Sequence, residues 1–292
     1  MENIIKKFKI APGDKFDFKN HPAKYTGDYK MEDAKLLLID LKDQIAELQT
    51  KLYAENKHAL LLIFQAMDAG GKDSAIAHTM SGLNPQGCQV YSFKQPSIIE
   101  LDHDFLWRHY TALPERGRIG IHNRSHYENV LVTKVHPEIL LEQRLPGIER
   151  LKDIDDNFWE KRYNSIKNFE QHLSDNGTVI IKFFLNVSKA KQKERFLERI
   201  EMPDKHWKFS AADIEERKYW PSYMDAYRIA IDKTTTDKAP WYVIPADKKW
   251  FTRIAISTIM LEVLKDMKLK YPVLSEEERS KLNNAANLLK AE

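Results

Sequence analysis

Hydrophobic positions divide this chain into two kinds of segment. Short runs of consecutive apolar residues alternate with longer stretches in which apolar side chains recur every three or four positions. The runs have the length of buried strands, and the periodic stretches are typical of amphipathic helices. The predicted strands are residues 59–64, 88–93, 118–121, 178–185 and 241–245. Because strands and helices alternate, the pattern predicts an α/β fold whose parallel sheet is covered by helices on both faces.

The first long helix is predicted from residue 31 to about residue 56. Its polar side carries Glu47 and Lys51, which are spaced for an i,i+4 ion pair. Its apolar stripe consists of Leu38, Leu41, Ile45, Leu48 and Leu52. Packing of this stripe on its own domain is the favoured interpretation, and a dimer seam is the alternative.

Two further segments differ in composition from the rest of the chain. Residues 1–30 are rich in Lys, Asp, Gly and Pro, which predicts an extended arm on the surface of a single domain that spans residues 31–292. Residues 188–217 are unusually polar and are interrupted by Met202-Pro203, so we predict a mobile, basic helical lid there. The cations that this lid would supply to a bound anion are Arg195, Arg199, Lys205 and Lys208.

Overall charge, cysteine content and the length of the apolar runs argue against a strongly charged protein, a disulfide-stabilised secreted protein and a membrane protein. The formal net charge is only +3, the difference between 46 basic and 43 acidic residues, so binding of a polyanion requires local clustering of cations. The single Cys88 cannot form an intrachain disulfide, and the first residues contain no apolar stretch of signal-peptide length. Apolar runs are far shorter than the roughly 20 residues of a membrane helix. We therefore expect a cytoplasmic protein without a membrane partner.

The most informative motif lies between the first predicted strand and the helix that follows it. Gly70-Gly71-Lys72 has the layout of a phosphate cradle, in which backbone N–H groups surround phosphate oxygens and a lysine reaches the transferred group. The spacing departs from a Walker A motif, because Ala66 and Asp73 replace its first Gly and its Ser or Thr. A glycine-rich structural turn is the alternative. The candidate phosphate- or nucleotide-binding residues of this loop are Ala69, Gly70, Gly71, Asp73 and Ser74.

Asp68 changes the interpretation of this loop. A carboxylate inside a phosphate-binding loop repels phosphates unless a divalent cation lies between them. Its presence therefore predicts Mg²⁺ as the cofactor. Asp73 lies in the first turn of the following helix, and its alternative role is a favourable interaction with the helix dipole.

A second candidate group of polar residues follows the third predicted strand, from Asn123 to Glu128. Ligand crevices of parallel sheets form at the carboxyl ends of strands, so Asp68, Arg124, Asn186 and Asp247 are expected to gather at one edge. Arg124 can clamp a phosphate through two hydrogen bonds, and Glu128 can hold a metal or the acceptor. A structural Arg–Glu pair is the alternative. His122 and His126 flank the motif without the spacing of a zinc site and are predicted to be packing residues.

Three sequence stretches together resemble the polyphosphate kinase 2 family. They are QAMDAGGKDS, NRSHYENVLVTKVHP and KYWPSYMDAYRIAIDKTTTDKAPWYVIPADKKWFTRIAI, and the resemblance covers roughly residues 30–270. It implies a three-layer, thymidylate-kinase-like P-loop fold, Mg²⁺ dependence, a homodimer or homotetramer, and phosphoryl transfer from polyphosphate to nucleoside mono- or diphosphates.

The same resemblance implies roles for individual residues. Asp68 matches the family's metal and phosphate carboxylate, Lys72 its P-loop lysine and Arg124 the arginine of its second motif. Arg195 and Arg199 match the cations of its lid. Asn123 and Glu128, both candidate metal ligands, are similar to the branch that phosphorylates AMP as well as ADP.

Three other functions remain as alternatives at this point. An ATP-dependent nucleoside monophosphate kinase would share these features except the long polyanion, and a non-catalytic polyphosphate- or nucleotide-binding protein would share the loop. A single-stranded nucleic-acid binder would use the aromatic residues that are interleaved with cations, at Trp207, Tyr219 and Trp220. Their helical spacing favours packing instead, so we expect no nucleic-acid partner.

Overall fold

The computed structural model describes residues 2–292, with side chains from Ile4 onward; Met1, part of the predicted arm, lies outside the described residues. Its five strands are parallel and follow the order β2-β3-β1-β4-β5. Their bounds are β1 (Ala59–Ala66), β2 (Cys88–Ser92), β3 (Ile119–Asn123), β4 (Thr178–Asn186) and β5 (Trp241–Pro245). The predicted strands are thus confirmed, as is the parallel sheet.

The described part of the chain contains thirteen α-helices. They are α1 (Glu2–Phe8), α2 (Met31–Glu55), α3 (Lys72–Met80), α4 (Ile98–Leu101), α5 (Trp107–Tyr110), α6 (Glu128–Val135), α7 (Ile139–Glu142), α8 (Asp156–Asp175), α9 (Lys189–Glu201), α10 (Ala211–Glu216), α11 (Trp220–Thr234), α12 (Lys249–Asp266) and α13 (Glu276–Lys290). Helices α1, α2 and α3 pack against α12, whereas α6, α8 and α11 pack against one another. All eight residues of β1 are buried, as expected for the central strand of a three-layer α/β fold.

The apolar stripe of α2 packs within the chain. Leu38, Leu41, Ile45 and Leu52 are buried, and the helix lies against α12. Leu48 is partly buried against the same core. Packing on its own domain, the favoured interpretation of this stripe, is confirmed, so the stripe is not available as the dimer seam that the sequence also allowed.

The N-terminal segment differs from the extended surface arm that the sequence predicted. Residues 2–8 form a helix, and Phe8, Ile10 and Phe16 are part of the hydrophobic core. The backbone of Ile10 also donates a hydrogen bond of 2.9 Å to the carbonyl oxygen of Trp241 in β5. The prediction was wrong because Ile4 and Phe8 lie one helical turn apart, and two positions are too few to reveal a periodicity. The domain boundary at residue 30 stays a prediction.

The predicted lid consists of short helices. Ser188 caps α9 by accepting a hydrogen bond from the backbone of Lys191, and a 3₁₀ helix (Pro203–Lys208) and α10 follow. Gln192, Arg195 and Phe196 attach α9 to the body of the protein because their side chains are buried. The segment is therefore helical, as predicted, and its role as a mobile, basic lid stays a prediction.

The two histidines of the third strand end belong to the packed interior. His122 and His126 are both buried, and burial lowers the pKa of His122 to about 4. Their predicted role as packing residues is confirmed. In the part of the chain that the structure describes, every helix is too short or too polar to cross a bilayer.

Candidate active site

A cleft of about 590 Å³ opens at the carboxyl end of the sheet, between the β1–α3 loop and the lid segment. Of the residues that the sequence proposed as catalytic, phosphate-binding or metal-ligating, all except Glu128 line this cleft. The cleft-lining members of the proposed set are Asp68, Ala69, Gly70, Gly71, Lys72, Asp73, Ser74, Asn123, Arg124, Arg195, Arg199, Lys205 and Lys208.

The β1–α3 loop has the backbone geometry of a tight cradle. Ala69 and Gly71 adopt left-handed conformations, with φ of 53° and 97°. A Cβ atom on Gly70 would lie 2.6 Å from both the Cβ of Ala66 and the carbonyl oxygen of Met67, so only glycine fits there. The ammonium of Lys72 donates a hydrogen bond of 2.9 Å to the carbonyl oxygen of Ala66, and burial lowers its pKa.

Arg195 braces this loop from the lid side. Its side chain is buried, and its guanidinium donates hydrogen bonds to the carbonyl oxygens of Ala69 (2.9 Å) and Ala246 (2.6 Å). Gln192, one turn earlier on α9, donates to the carbonyl oxygen of Asp68 at 2.9 Å. Helix α9 therefore fixes the backbone of the β1–α3 loop, which the sequence did not reveal.

Arg124 connects the second motif to the loop. Its backbone is left-handed, with φ of 64°, and its N–H donates to the carbonyl oxygen of Phe64 at 3.0 Å. Its guanidinium lies between two carboxylates, 3.1 Å from Asp68 and 3.4 Å from Glu128. Glu128 and then Asp68 raise its pKa against the opposing effect of burial. Because 41% of the side chain stays exposed, a phosphate group can still reach the guanidinium.

The proposed metal ligands fall into two places. Asn123 donates hydrogen bonds through its side-chain amide to Asp73 at 2.8 Å and to Ser92 at 3.4 Å, on the cleft side. Glu128 lies on the other side of Arg124 and lines a smaller, adjoining pocket. Asp68 borders both spaces.

The donor set suits Mg²⁺ if phosphate oxygens complete the coordination. Among the described residues, no group of three or more His, Cys, Asp or Glu side chains is arranged to hold a metal on its own. Kinase-type Mg²⁺ sites use one or two carboxylates together with substrate phosphates and water, and so do not require such a group. Asp68 offers a partly exposed carboxylate in the cleft, and Asp73 and Asn123 add oxygen atoms nearby.

The outer wall of the cleft is held together by ion pairs of the lid. Arg199 lies 3.2 Å from Asp213, and Lys205 lies 3.2 Å from Glu198. The ammonium of Lys208 lies 4.7 Å from the ring centre of Trp207, a cation–π contact. These cations line the same cleft as Lys72 although they come from a distant part of the sequence.

The smaller pocket has a different character. Its volume is about 40 Å³, and it adjoins the cleft where Asp68 and Arg124 meet. Apolar and aromatic side chains share its wall with several carboxylates: Met67, Leu131, Val132, Tyr223, Tyr227, Glu128, Asp213 and Glu216. It is therefore less favourable for a polyanion than the basic cleft.

Comparison with known proteins identifies the family. Residues 28–272 match the model of the family described as Polyphosphate kinase 2 (PPK2). The chain belongs to the polyphosphate kinase 2 family.

Individual relatives of this polyphosphate kinase 2 chain match it over nearly their whole length. An ADP-polyphosphate phosphotransferase of Rhodopseudomonas palustris is 50% identical over 97% of each chain. An AMP/ADP-polyphosphate phosphotransferase of Meiothermus ruber is 41% identical over 92% of this chain and 96% of that protein. The crystal structure of Polyphosphate Kinase 2 from Arthrobacter aurescens TC1 is 38% identical and superposes with a TM-score of 0.85, covering 96% of this chain and 95% of the other. The predicted P-loop kinase fold is thus confirmed.

Several residues of this polyphosphate kinase 2 cleft were not singled out from the sequence. They are Ser92, Phe93, Lys94, Gln95, Glu198, Asp213 and Lys249. Four of them directly follow or end β2, and Lys249 follows β5, so applying the strand-end rule to all five strands would have found these five.

Two residues expected at the same edge serve the scaffold instead. Asn186 donates a hydrogen bond of 2.7 Å to the carbonyl oxygen of His21 in the N-terminal segment. Asp247 accepts hydrogen bonds of 2.8 Å from both the backbone and the hydroxyl of Ser188, the cap of α9. Neither residue lines the cleft.

Proposed function

We propose that this chain catalyses Mg²⁺-dependent phosphoryl transfer between inorganic polyphosphate and nucleotides, converting AMP to ADP and ADP to ATP. The convergence of Asp68, Lys72 and Arg124 on one basic cleft carries the proposal. Family membership supports polyphosphate and a nucleotide as the two substrates. The names of the two relatives support ADP as an acceptor, and that of the Meiothermus ruber enzyme supports AMP in addition.

The chemistry requires positioning and charge neutralisation more than covalent participation of the protein. Lys72 and Arg124 bind phosphoryl oxygens and stabilise the negative charge of the transferred group. The backbone N–H groups of Ala69 and of residues 71–74, which include the first turn of α3, orient the phosphate chain. The N–H of Gly70 donates instead to the carbonyl oxygen of Met67 at 2.9 Å. Bound Mg²⁺ would neutralise phosphate charge, and Asp68 would hold it, with Asn123 and Glu128 as further candidate ligands.

The distribution of charge favours different parts of the site for the two substrates. The cleft offers Lys72, Arg199, Lys205, Lys208 and Lys249 to a polyphosphate chain. The smaller pocket offers aromatic and apolar walls with carboxylates that can accept hydrogen bonds from hydroxyl groups, which suits an uncharged nucleoside. Because this pocket is small and α10 of the lid forms part of its wall, α10 would have to move outward to admit the nucleoside.

A substitution in the lid tests this assignment. Lys208→Gln removes one exposed cation of the cleft and leaves the smaller pocket unchanged, so we expect the KM for polyphosphate to rise about 3- to 5-fold, the scale of an exposed charge pair. The KM for AMP should stay within twofold of the wild-type value. An equal rise in the KM for AMP would contradict the assignment.

The lid, the domain organisation and the assembly complete the proposal. Residues 188–217 would close over the bound polyanion and exclude water, since they contribute cations to one wall of the cleft. Residues 31–292 would form one kinase domain, against whose core the N-terminal segment packs through Phe8, Ile10 and Phe16. A cytoplasmic homodimer or homotetramer remains the expected form of the protein.

A donor assay tests the proposed function. With polyphosphate as the sole phosphoryl donor, AMP should yield ADP and then ATP, and ADP alone should yield ATP. Product with ATP as donor but none with polyphosphate would favour the nucleoside monophosphate kinase. Binding of polyphosphate without turnover would favour a non-catalytic protein.

Nucleic-acid binding is tested separately. We expect no saturable binding of a single-stranded oligonucleotide at physiological salt, because non-specific binding depends on phosphate contacts that salt weakens. Saturable binding under these conditions would show that the protein has a nucleic-acid partner.

A further inference from the structure

The loop that carries Arg124 is anchored from below by three consecutive buried residues. Ser125, His126 and Tyr127 are at most 1% exposed, whereas Arg124 and Glu128 on either side are partly exposed at the site. The buried residues 125–127 therefore determine where the backbone places Arg124 and Glu128.

The buried Lys182 forms hydrogen bonds to Tyr127 and to neighbouring elements of the interior. Lys182, in the interior of β4, donates hydrogen bonds to Glu170 of α8 at 2.6 Å and to the hydroxyl of Tyr127 at 2.9 Å. It also donates to the carbonyl oxygen of Thr234, at the end of α11, at 2.8 Å. The Tyr127 hydroxyl in turn donates to Glu170 at 2.8 Å. One ammonium thus connects β4, α8, α11 and the loop of Arg124.

The two residues before Tyr127 also form contacts with the protein interior. His126 lies 3.4 Å from the Glu170 carboxylate. The hydroxyl of Ser125 accepts a hydrogen bond of 3.1 Å from Gln65 in β1, and also one from the backbone N–H of Tyr127. Ser125 is therefore bonded to β1, whereas His126 and Tyr127 contact the buried ion pair of Lys182 and Glu170.

Stability alone does not explain a fully buried ion pair. Removing two charges from water is costly, and well-packed apolar side chains of similar volume often replace such pairs without loss of stability. What an apolar replacement cannot supply is directional hydrogen bonds, which fix a side chain in one orientation.

We propose that Lys182, Glu170 and Tyr127 form a positioning device that holds the loop so that the Arg124 guanidinium lies between Asp68 and Glu128. This inference rests on the proposed function, because its consequence is a change in the rate of phosphoryl transfer. The three residues do not contact substrate; they act through the backbone of residues 124–128.

Tyr127→Phe is the most conservative test, since it keeps the ring in the core and removes only the hydroxyl. We expect kcat for ADP formation from AMP and polyphosphate to fall about tenfold, on the scale of a misplaced catalytic group. The KM for polyphosphate should stay within twofold, because the cations of the lid are unaffected. Tyr163→Phe is the matched control: Tyr163 is also a buried tyrosine, but its hydroxyl has no hydrogen-bond partner among the described residues, so its kinetics should equal those of the wild type.

A second comparison separates positioning from a general structural role. In an Arg124→Lys background the side chain no longer forks between two carboxylates, so its orientation matters less. There Tyr127→Phe should change kcat less than twofold. If the same tenfold loss occurs in both backgrounds, or if Tyr127→Phe has wild-type kcat, the positioning role is wrong.

A double substitution tests the ion pair of Lys182 and Glu170. Lys182→Met combined with Glu170→Leu removes both charges together, and we expect it to unfold within a few degrees of the wild type while losing kcat as Tyr127→Phe does. Wild-type kcat in this folded variant would also overturn the proposal. Absence of activity in the wild-type protein with polyphosphate would instead refute the proposed function, so the two failures are distinguishable.

Discussion

Lys72→Ala is expected to lower kcat for phosphoryl transfer from polyphosphate to AMP by about 10³-fold, the scale of removing a group that stabilises transition-state charge in a preorganised site. The ammonium is held next to the phosphate loop by the carbonyl oxygen of Ala66, and it lines the cleft together with Arg124. Lys72 is the first residue of α3, directly after the glycine turn. The other lysines of the cleft come from other segments, so we expect none of them to replace it. Steady-state kcat and KM for both substrates measure the effect.

The control for this substitution is Lys35→Ala, which removes an exposed lysine of α2 that does not line the cleft. It should retain wild-type kinetics. Thermal unfolding of both variants shows whether the fold is intact, since Lys72→Ala also removes a hydrogen bond to the end of β1. A fall in kcat of less than tenfold for folded Lys72→Ala would contradict the role of Lys72.

The sheet and the phosphate loop were predictable from the sequence because both depend on local patterns. Uninterrupted apolar runs revealed the strands, and the strand-end rule placed Asp68 and Arg124 at the edge of the sheet where the cleft lies. The helix of residues 31–55 was likewise visible from its periodicity.

What the sequence could not predict depends on the direction of long side chains. Arg195 was expected to face a bound anion, but its guanidinium binds the carbonyl oxygens of Ala69 and Ala246. Lys182 stands out in an apolar run, yet its partner Glu170 lies on a helix whose rotation relative to β4 no sequence pattern specifies. Such contacts form between elements that are distant in sequence, and packing in three dimensions determines them.

Asp68→Asn is the second large expected effect. The substitution keeps the shape of the side chain but removes the charge that would hold Mg²⁺ beside the phosphate chain. It also removes the ion pair of 3.1 Å with Arg124, whose guanidinium would then pair with Glu128 alone. We expect kcat to fall about 10²- to 10³-fold, as for loss of one preorganised electrostatic contact in an active site.

The control is Asp237→Asn, which neutralises an exposed aspartate outside the cleft. Its Mg²⁺ dependence should match that of the wild type. This comparison separates the position of the charge from the change in net charge, which is the same in both variants.

The most direct measurement is a titration of the initial rate with Mg²⁺ for the wild type and Asp68→Asn, with AMP as acceptor and polyphosphate as the only donor. We expect a saturable rise for the wild type and, for the variant, about 1% of that rate or less at every Mg²⁺ concentration. A variant that retains wild-type turnover with an unchanged Mg²⁺ dependence would contradict the proposed role of Asp68.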